Sequence, residues 1–216
     1  MINLSLKIIN EKQFERGLLE ELRDRLNKVL TLVGNSPENK IRKLLIDSIT
    51  SQPEWGSLRS GKLKADFGIP DTLNIDSLLN IWAQEFEIKH NKFKIYGKDV
   101  VGGITVSLIK ENYSQVLSSA VSEIQSKGGT VFWLEWLLLA GNNVVVSDYS
   151  VIYNLNSLQR QYSRTGEALM KFKSGDSYKV DAAFAGTSDD NFITRALSNI
   201  QEDIVKIIYT EIENRF

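Results

Sequence analysis

Cysteine is absent from this 216-residue chain, histidine occurs once and proline three times. Without thiols there is no disulfide, no thiolate nucleophile and no thiolate metal site, which fits folding in a reducing compartment. The lone histidine, His90, leaves no His-rich metal centre, and any Ser-His-Asp triad would have to be built on it. Its neighbours Lys89, Asn91 and Lys92 read as a solvated turn, so no catalytic or ligand role is expected for it. Charge of one sign is missing too: 26 Lys and Arg face 27 Asp and Glu, a net −1, so no global basic footprint marks a nucleic-acid binder. The longest apolar run, from Val131 to Ala140, carries Glu135 and is about half of the roughly 20 residues that span a membrane. MINLSLKII lacks the basic segment and long apolar core of a signal peptide. Neither a G-x-x-x-x-G-K loop nor a G-x-G-x-x-G turn occurs, so no cofactor is expected.

What is present is the composition of a globular protein, 42% hydrophobic and 25% charged, which argues against wholesale disorder. Ile2, Leu4, Leu6 and Ile8 alternate with polar residues at strand period. Phe14, Leu18, Leu22, Leu26, Val29 and Val33 then step by three or four, predicting a long amphipathic helix capped by Asn10 and stopped by Gly34. Ser36-Pro37-Glu38 predicts a second helix with serine as cap, its apolar face Ile41, Leu44, Leu45 and Ile49. Pro53, Gly56, Gly61 and Gly68 punctuate a short helical stretch from Gln52 to Ile69, and 71–83 reads as another helix with Leu78, Leu79 and Trp82 on one side. Phe86, Ile88, Phe93 and Ile95 predict two strands joined by a turn at His90-Asn91, with a third strand from Ile104 to Lys110 after Gly102-Gly103. A helix is expected over 116–125, a buried helix over 131–140 ended by Gly141, and a strand over 144–153. Asp189-Asp190-Asn191 offers caps to a last helix whose stripe is Ile193, Leu197, Ile200, Ile204, Ile207, Ile208 and Ile212. The terminal stripes are too extensive to leave in water, which makes Leu22 and Ile204 expected core positions. The fold class read from this order is α+β: one domain over 1–216, with long N- and C-terminal helices packed against an antiparallel β-sheet.

Few residues invite chemistry. Asp66 with Asp71, or Asp189 with Asp190, offer carboxylates to Mg²⁺, yet Asp71 and Asp189 or Asp190 stand where helix caps are wanted and Asp66 falls on a polar helix face. No catalytic and no metal residue is therefore assigned. Trp133 and Trp136 with Leu137 and Ala140 would line a pocket, but tryptophans at helical spacing read first as core. Glu135 on that helix must lie on an exposed edge or pair with Arg164 or Arg195. The segment 154–179 holds Arg160, Arg164, Lys171, Lys173 and Lys179 against Glu167 and Asp176, a local +3, with Tyr162, Phe172 and Tyr178 interleaved. It reads as a projecting loop or hairpin. Arg160, Tyr162 and Arg164 are its candidate partner contacts, since tyrosine and arginine anchor interfaces and an arginine fork binds carboxylates and carbonyls bidentately.

Several of these words, taken in order, carry a resemblance. WLEWLLLAG (Trp133–Gly141), DYSV (Asp148–Val151), SRTG (Ser163–Gly166) and NFITRA (Asn191–Ala196) follow SLRSGKLKADFG (Ser57–Gly68). As a set they resemble the neck and tail-completion proteins of tailed bacteriophages, over 53–69 and 130–197, roughly a third to a half of the chain. The resemblance implies a structural subunit of the head–tail joint, made in the host cytoplasm and located in the virion. Its partners would be further copies of itself in a cyclic ring, the neighbouring neck, connector or tail-tube proteins, and packaged DNA passing through the lumen without sequence specificity. No enzyme activity, cofactor or membrane is implied. Ring copy number, six or twelve, and the choice among terminator, stopper and adaptor stay open. Two other readings compete: a nucleic-acid-binding module using the 154–179 patch, and a metal-dependent hydrolase using acidic residues.

Overall fold

A computed structural model describes residues 10–107, 113–126, 129–141, 144–161, 163, 168–179 and 183–216. The elements are α1 (Glu11–Val33), α2 (Glu38–Thr50), α3 (Pro53–Ser60), α4 (Lys62–Phe67), α5 (Ser77–Gln84), β1 (Glu87–Tyr96) and β2 (Asp99–Ser107). They continue with α6 (Ser114–Leu117), β3 (Ile124–Ser126), β4 (Gly129–Val131), α7 (Trp133–Leu138), β5 (Val144–Tyr153), α8 (Ser157–Arg160), β6 (Ala168–Lys179) and α9 (Phe192–Glu213). The class is α+β, with long terminal helices and antiparallel sheet. Among the described residues the sheet consists of three separate hairpins, β1-β2, β3-β4 and β5-β6. The strand expected over Ile2–Ile8 lies outside the described residues.

Two compact units divide the chain. The first draws on the described residues within Met1–Ile41, Glu87–Ser107 and Glu202–Phe216; the second on those within Arg42–Phe86 and Leu108–Gln201.

In the first unit, α1 starts where the sequence predicts: the Asn10 side chain accepts from the Gln13 N–H at 3.1 Å, and Gly34 ends the helix at φ 47°, a left-handed value that favours glycine. α1 packs against the β1-β2 hairpin through Asn27. Its Nδ2 donates to the Phe93 carbonyl at 3.1 Å, and its Oδ1 accepts from the Phe93 N–H at 2.8 Å. Phe93 sits in the irregular stretch between Asn91 and Lys94 where the ladder skips, so the asparagine supplies the two bonds that the bulge gives up. Gly102 lies opposite, and a Cβ there would stand 2.5 Å from the Phe93 Cα. Two expectations are corrected here. His90 and Asn91 lie inside β1, with Asn91 Nδ2 donating to Thr105 Oγ1 at 2.8 Å, and Gly102-Gly103 lie inside β2. The chain reverses at Gly97-Lys98, because Gly97 supplies the positive φ (65°) that the tight turn needs.

The α1 stripe is only half buried. Val29, Leu30 and Val33 are in the core, whereas Leu22 is 41% exposed and Phe14 and Leu18 are also exposed. The expectation that Leu22 is a core residue is therefore overturned, while Ile204 at 6% is core as expected. Periodicity reveals which face of a helix is apolar, not whether a neighbour covers it. Ser36, expected as the α2 cap, instead donates its hydroxyl to Glu211 Oε2 at 2.8 Å. Lys40 Nζ donates to Glu211 Oε1 at 2.6 Å, and Arg215 completes the set through Oε2. This carboxylate, with a side chain only 6% exposed, is held well below its ordinary value of 4.5, to about 2. The hydrogen bonds from Lys40, Ser36 and Arg215 outweigh the opposing cost of burial.

The second unit is built on tryptophan. Trp55 of α3 meets Trp82 of α5 edge-on at 6.0 Å, and Trp82 meets Phe192 of α9 at 6.0 Å; all three are essentially inaccessible. Phe67 of α4 leans on Trp133 and Trp136 of α7 at 6.1 and 6.3 Å. Ser48 Oγ ties α2 to the Ala196 carbonyl of α9 at 2.8 Å. The helix expected over 71–83 begins only at Ser77, and Asp71, instead of capping it, is ion-paired with Lys64. Asp66 is buried, not on a polar face: α4 is short and its Leu63, Ala65 and Phe67 are buried as well, so it has little polar side to offer. The helix expected over 116–125 is confined to α6, after which Ser122 folds back through its hydroxyl onto the Leu117 and Ser119 carbonyls at 2.7 Å each and β3 begins.

Candidate functional site

The motif words meet in the second unit around Asn191. Its Oδ1 accepts from the N–H groups of Ile193 and Thr194 at 3.0 and 3.1 Å, which makes it, rather than Asp189 or Asp190, the N-cap of α9. Thr194 Oγ1 returns the favour by accepting from the Asn191 N–H at 2.8 Å, a reciprocal cap. The asparagine amide then donates to the Thr187 carbonyl at 2.8 Å, the Tyr113 hydroxyl at 3.0 Å and the Leu138 carbonyl at 3.3 Å. An aspartate would cap equally well, but it has no donors for those three oxygens. Burial pushes the Tyr113 phenol up, against a smaller opposing effect of its bond to Asn191. Gly186 closes the same corner. Its carbonyl accepts from the Gly141 N–H at 2.7 Å, and a Cβ on it would stand 2.4 Å from the Leu137 carbonyl oxygen.

Arg195, four residues into NFITRA, binds Asp190 at 2.6 Å and reaches the buried Glu54 with its other nitrogen. Burial pulls the guanidinium pKa down, but the hydrogen bond to Asp190 and the charges of Glu54 and Asp190 outweigh it and leave it raised. Glu54 is 1% exposed, so removing this arginine would strand a buried carboxylate without its ion-pair partner. Glu135 resolves differently: it is exposed on the outer edge of α7, and Arg195 is engaged elsewhere. The words at 53–69, 133–141 and 191–196 thus make one interlocked core, and their conspicuous residues face inward.

β5 and β6 form a hairpin, and the segment 154–179 supplies its connection, with α8, and its second strand. Asn156 and Gln159 cap α8 reciprocally, at 2.8 and 3.0 Å. Arg160, at the end of α8, is exposed and its Nε donates to the Leu155 carbonyl at 3.2 Å. Tyr162 and Arg164 lie outside the described residues. Phe172 projects at 63% exposure, but Tyr178 is buried and Lys173 is paired with Asp176 at 2.8 Å, so the patch is less basic and less aromatic than its sequence.

A feature absent from the sequence reading lies in the first unit. Between the second half of α1 and β1 is an open cleft of about 550 Å³, floored by Leu30 and edged by Lys28, Thr31, Asn35, His90 and Lys92. His90 and Lys92 share one side of β1 because strand side chains alternate. Placing His90 in a turn hid this, and the bulge that fixes the strand against α1 has no sequence signature. Among the described residues no group of three His, Cys, Asp or Glu is arranged to hold a metal, and no helix is long and apolar enough to cross a membrane. Compared with protein-family models, with curated proteins and with solved structures, the chain has no match in any of the three.

Proposed function

We propose that this protein is a structural subunit of a phage head–tail joint, a neck or tail-completion ring component that connects the portal side to the tail tube. One observation carries the reading: three of the five ordered words that resemble that family, at 53–69, 133–141 and 191–196, interlock through Asn191, Arg195–Glu54 and the Phe67–Trp133–Trp136 cluster. The exposed apolar side chains of the first unit, on α1 and at Val205 and Tyr209 of α9, are a further support, since contiguous exposed apolar surface marks interaction sites. A cyclic ring needs two different surfaces on each copy. The projecting β5-β6 hairpin, through Arg160, Tyr162 and Arg164, is assigned to one of them.

Native mass spectrometry and negative-stain microscopy of the purified protein, alone and with isolated tail tubes, test the proposal. A closed ring, free or on the tube end, is expected. Arg164→Ala is expected to leave the monomer folded and to weaken ring formation. A protein that stays monomeric at every concentration and leaves tube ends bare overturns the reading.

A further inference from the structure

We infer that the cleft between α1 and β1 binds the phosphates of a nucleic-acid backbone, without sequence preference. Lys28 enters from the helix and Lys92 with His90 from the strand, while among the described residues no carboxylate lines the cleft. None of the three cationic or donor side chains has an ion pair or side-chain hydrogen bond among the described residues; Asp24, one helical turn before Lys28, is engaged with Arg23 at 2.8 Å, and Glu87 with Lys89 at 3.1 Å. Two full charges thus face one space with no ion-pair partner among the described residues.

One term opposes an anion here. The cleft lies toward the C-terminal end of α1, where unpaired carbonyls amount to roughly half a negative charge, and the last turn of α1 has no basic residue. Two lysines exceed that half charge several-fold, so the balance stays positive. The walls are fixed as well, because Asn27 and Phe93 bond each other twice directly beside the cleft, so little ordering is needed on binding. A volume of about 550 Å³ exceeds what one carboxylate fills. Apart from the imidazole no ring lines the cleft to stack a base, which points to backbone contact rather than base reading. Putting this contact in the lumen of a ring rests on the assembly proposal. The cleft's affinity for phosphates does not, so a ring that ignores DNA and a DNA-binding monomer are distinguishable failures.

Fluorescence anisotropy with a labelled mixed-sequence DNA duplex, titrated over a range of salt, tests the inference on the full chain. Three proteins are compared: the parent, Lys28→Ala with Lys92→Ala, and Lys12→Ala with Lys43→Ala, which removes the same charge from exposed positions outside the cleft. The cleft variant is expected to bind at least about tenfold more weakly near 50 mM salt, with a log K against log salt slope smaller by about 2. The control should stay within about twofold of the parent. No DNA binding by the parent at low salt, or equal weakening in both variants, overturns the inference. So does polyglutamate competing as well as DNA, which would assign the cleft to an acidic protein segment. Should the cleft variant fail to fold, amide shifts of the parent on DNA addition decide: changes centred on Lys28, His90 and Lys92 support the site, and changes only elsewhere overturn it.

Discussion

Replacing Glu211 by Gln removes the charge on which Ser36, Lys40 and Arg215 converge, and the effect should depend strongly on pH. The carboxyl titrates near 4.5 when free and about 2 when folded. A depressed folded value stabilises the protein at pH above the free value, and that stability is lost as pH falls through the folded one. A gap of about 2.5 pK units corresponds to about 3 kcal/mol at pH 7. Lys40 is 60% exposed and regains water when released, which places the expected loss for Glu211→Gln at about 2–3 kcal/mol. Linkage makes the difference between parent and variant shrink by roughly 1–2 kcal/mol between pH 7 and pH 3.5, most of it below pH 4.5. Urea denaturation of both proteins at a series of pH values measures that difference and cancels the other carboxylates. A difference that stays flat from pH 7 to pH 3.5 refutes the account, and the carboxylate is then no better placed folded than unfolded.

Four further substitutions probe the rest of the fold, each read by chemical denaturation. Arg195→Ala should cost about 3–5 kcal/mol, because it strands the buried Glu54 carboxylate; a loss under 1 kcal/mol would mean that water reaches Glu54. Gly186→Ala should cost about 1–3 kcal/mol or more, since the new methyl must displace backbone at Leu137 or Asn191, and a neutral result would show that this corner relaxes freely. Ile204→Ala should cost about 2–5 kcal/mol, but Leu22→Ala, at an exposed position of the isolated chain, should stay near 0.5 kcal/mol. A large Leu22 effect that grows with protein concentration would reveal a neighbour on α1.

Wherever one period ran long, the elements were legible in the sequence. Both long helices, the Asn10 cap, the Gly34 stop and the buried face of α7 follow from spacing and from the chemistry of Asn and Gly. Asn91 looks like a turn former, which masks the continuous strand around residue 90, whereas in the fold its amide crosses to Thr105. Only the three-dimensional register reveals that use. Asp71 and Ser36 looked like caps for the same local reason and were claimed by distant partners, Lys64 and Glu211. The candidate interface was legible as composition alone: Arg160 is exposed, while Tyr178 is folded inward by its strand. The cleft was not legible, because Lys28 and Lys92 are far apart in sequence and only the Asn27–Phe93 weld brings them to one place.

That first unit also has an order of manufacture. Its helix and hairpin are complete once residue 107 has been made, but Glu211 is separated by 175 residues from Ser36 and by 171 from Lys40, and Phe216 by 191 from Arg25. At about 5–20 residues per second, a translating ribosome needs roughly 5–20 s to pass from residue 107 to Glu211. Throughout the wait the nascent chain holds an apolar helix face and two unmet cations, Lys40 and Arg25, with the whole second unit emerging in between. The first unit is therefore closed only when its 202–216 segment has been made, after every segment of the second.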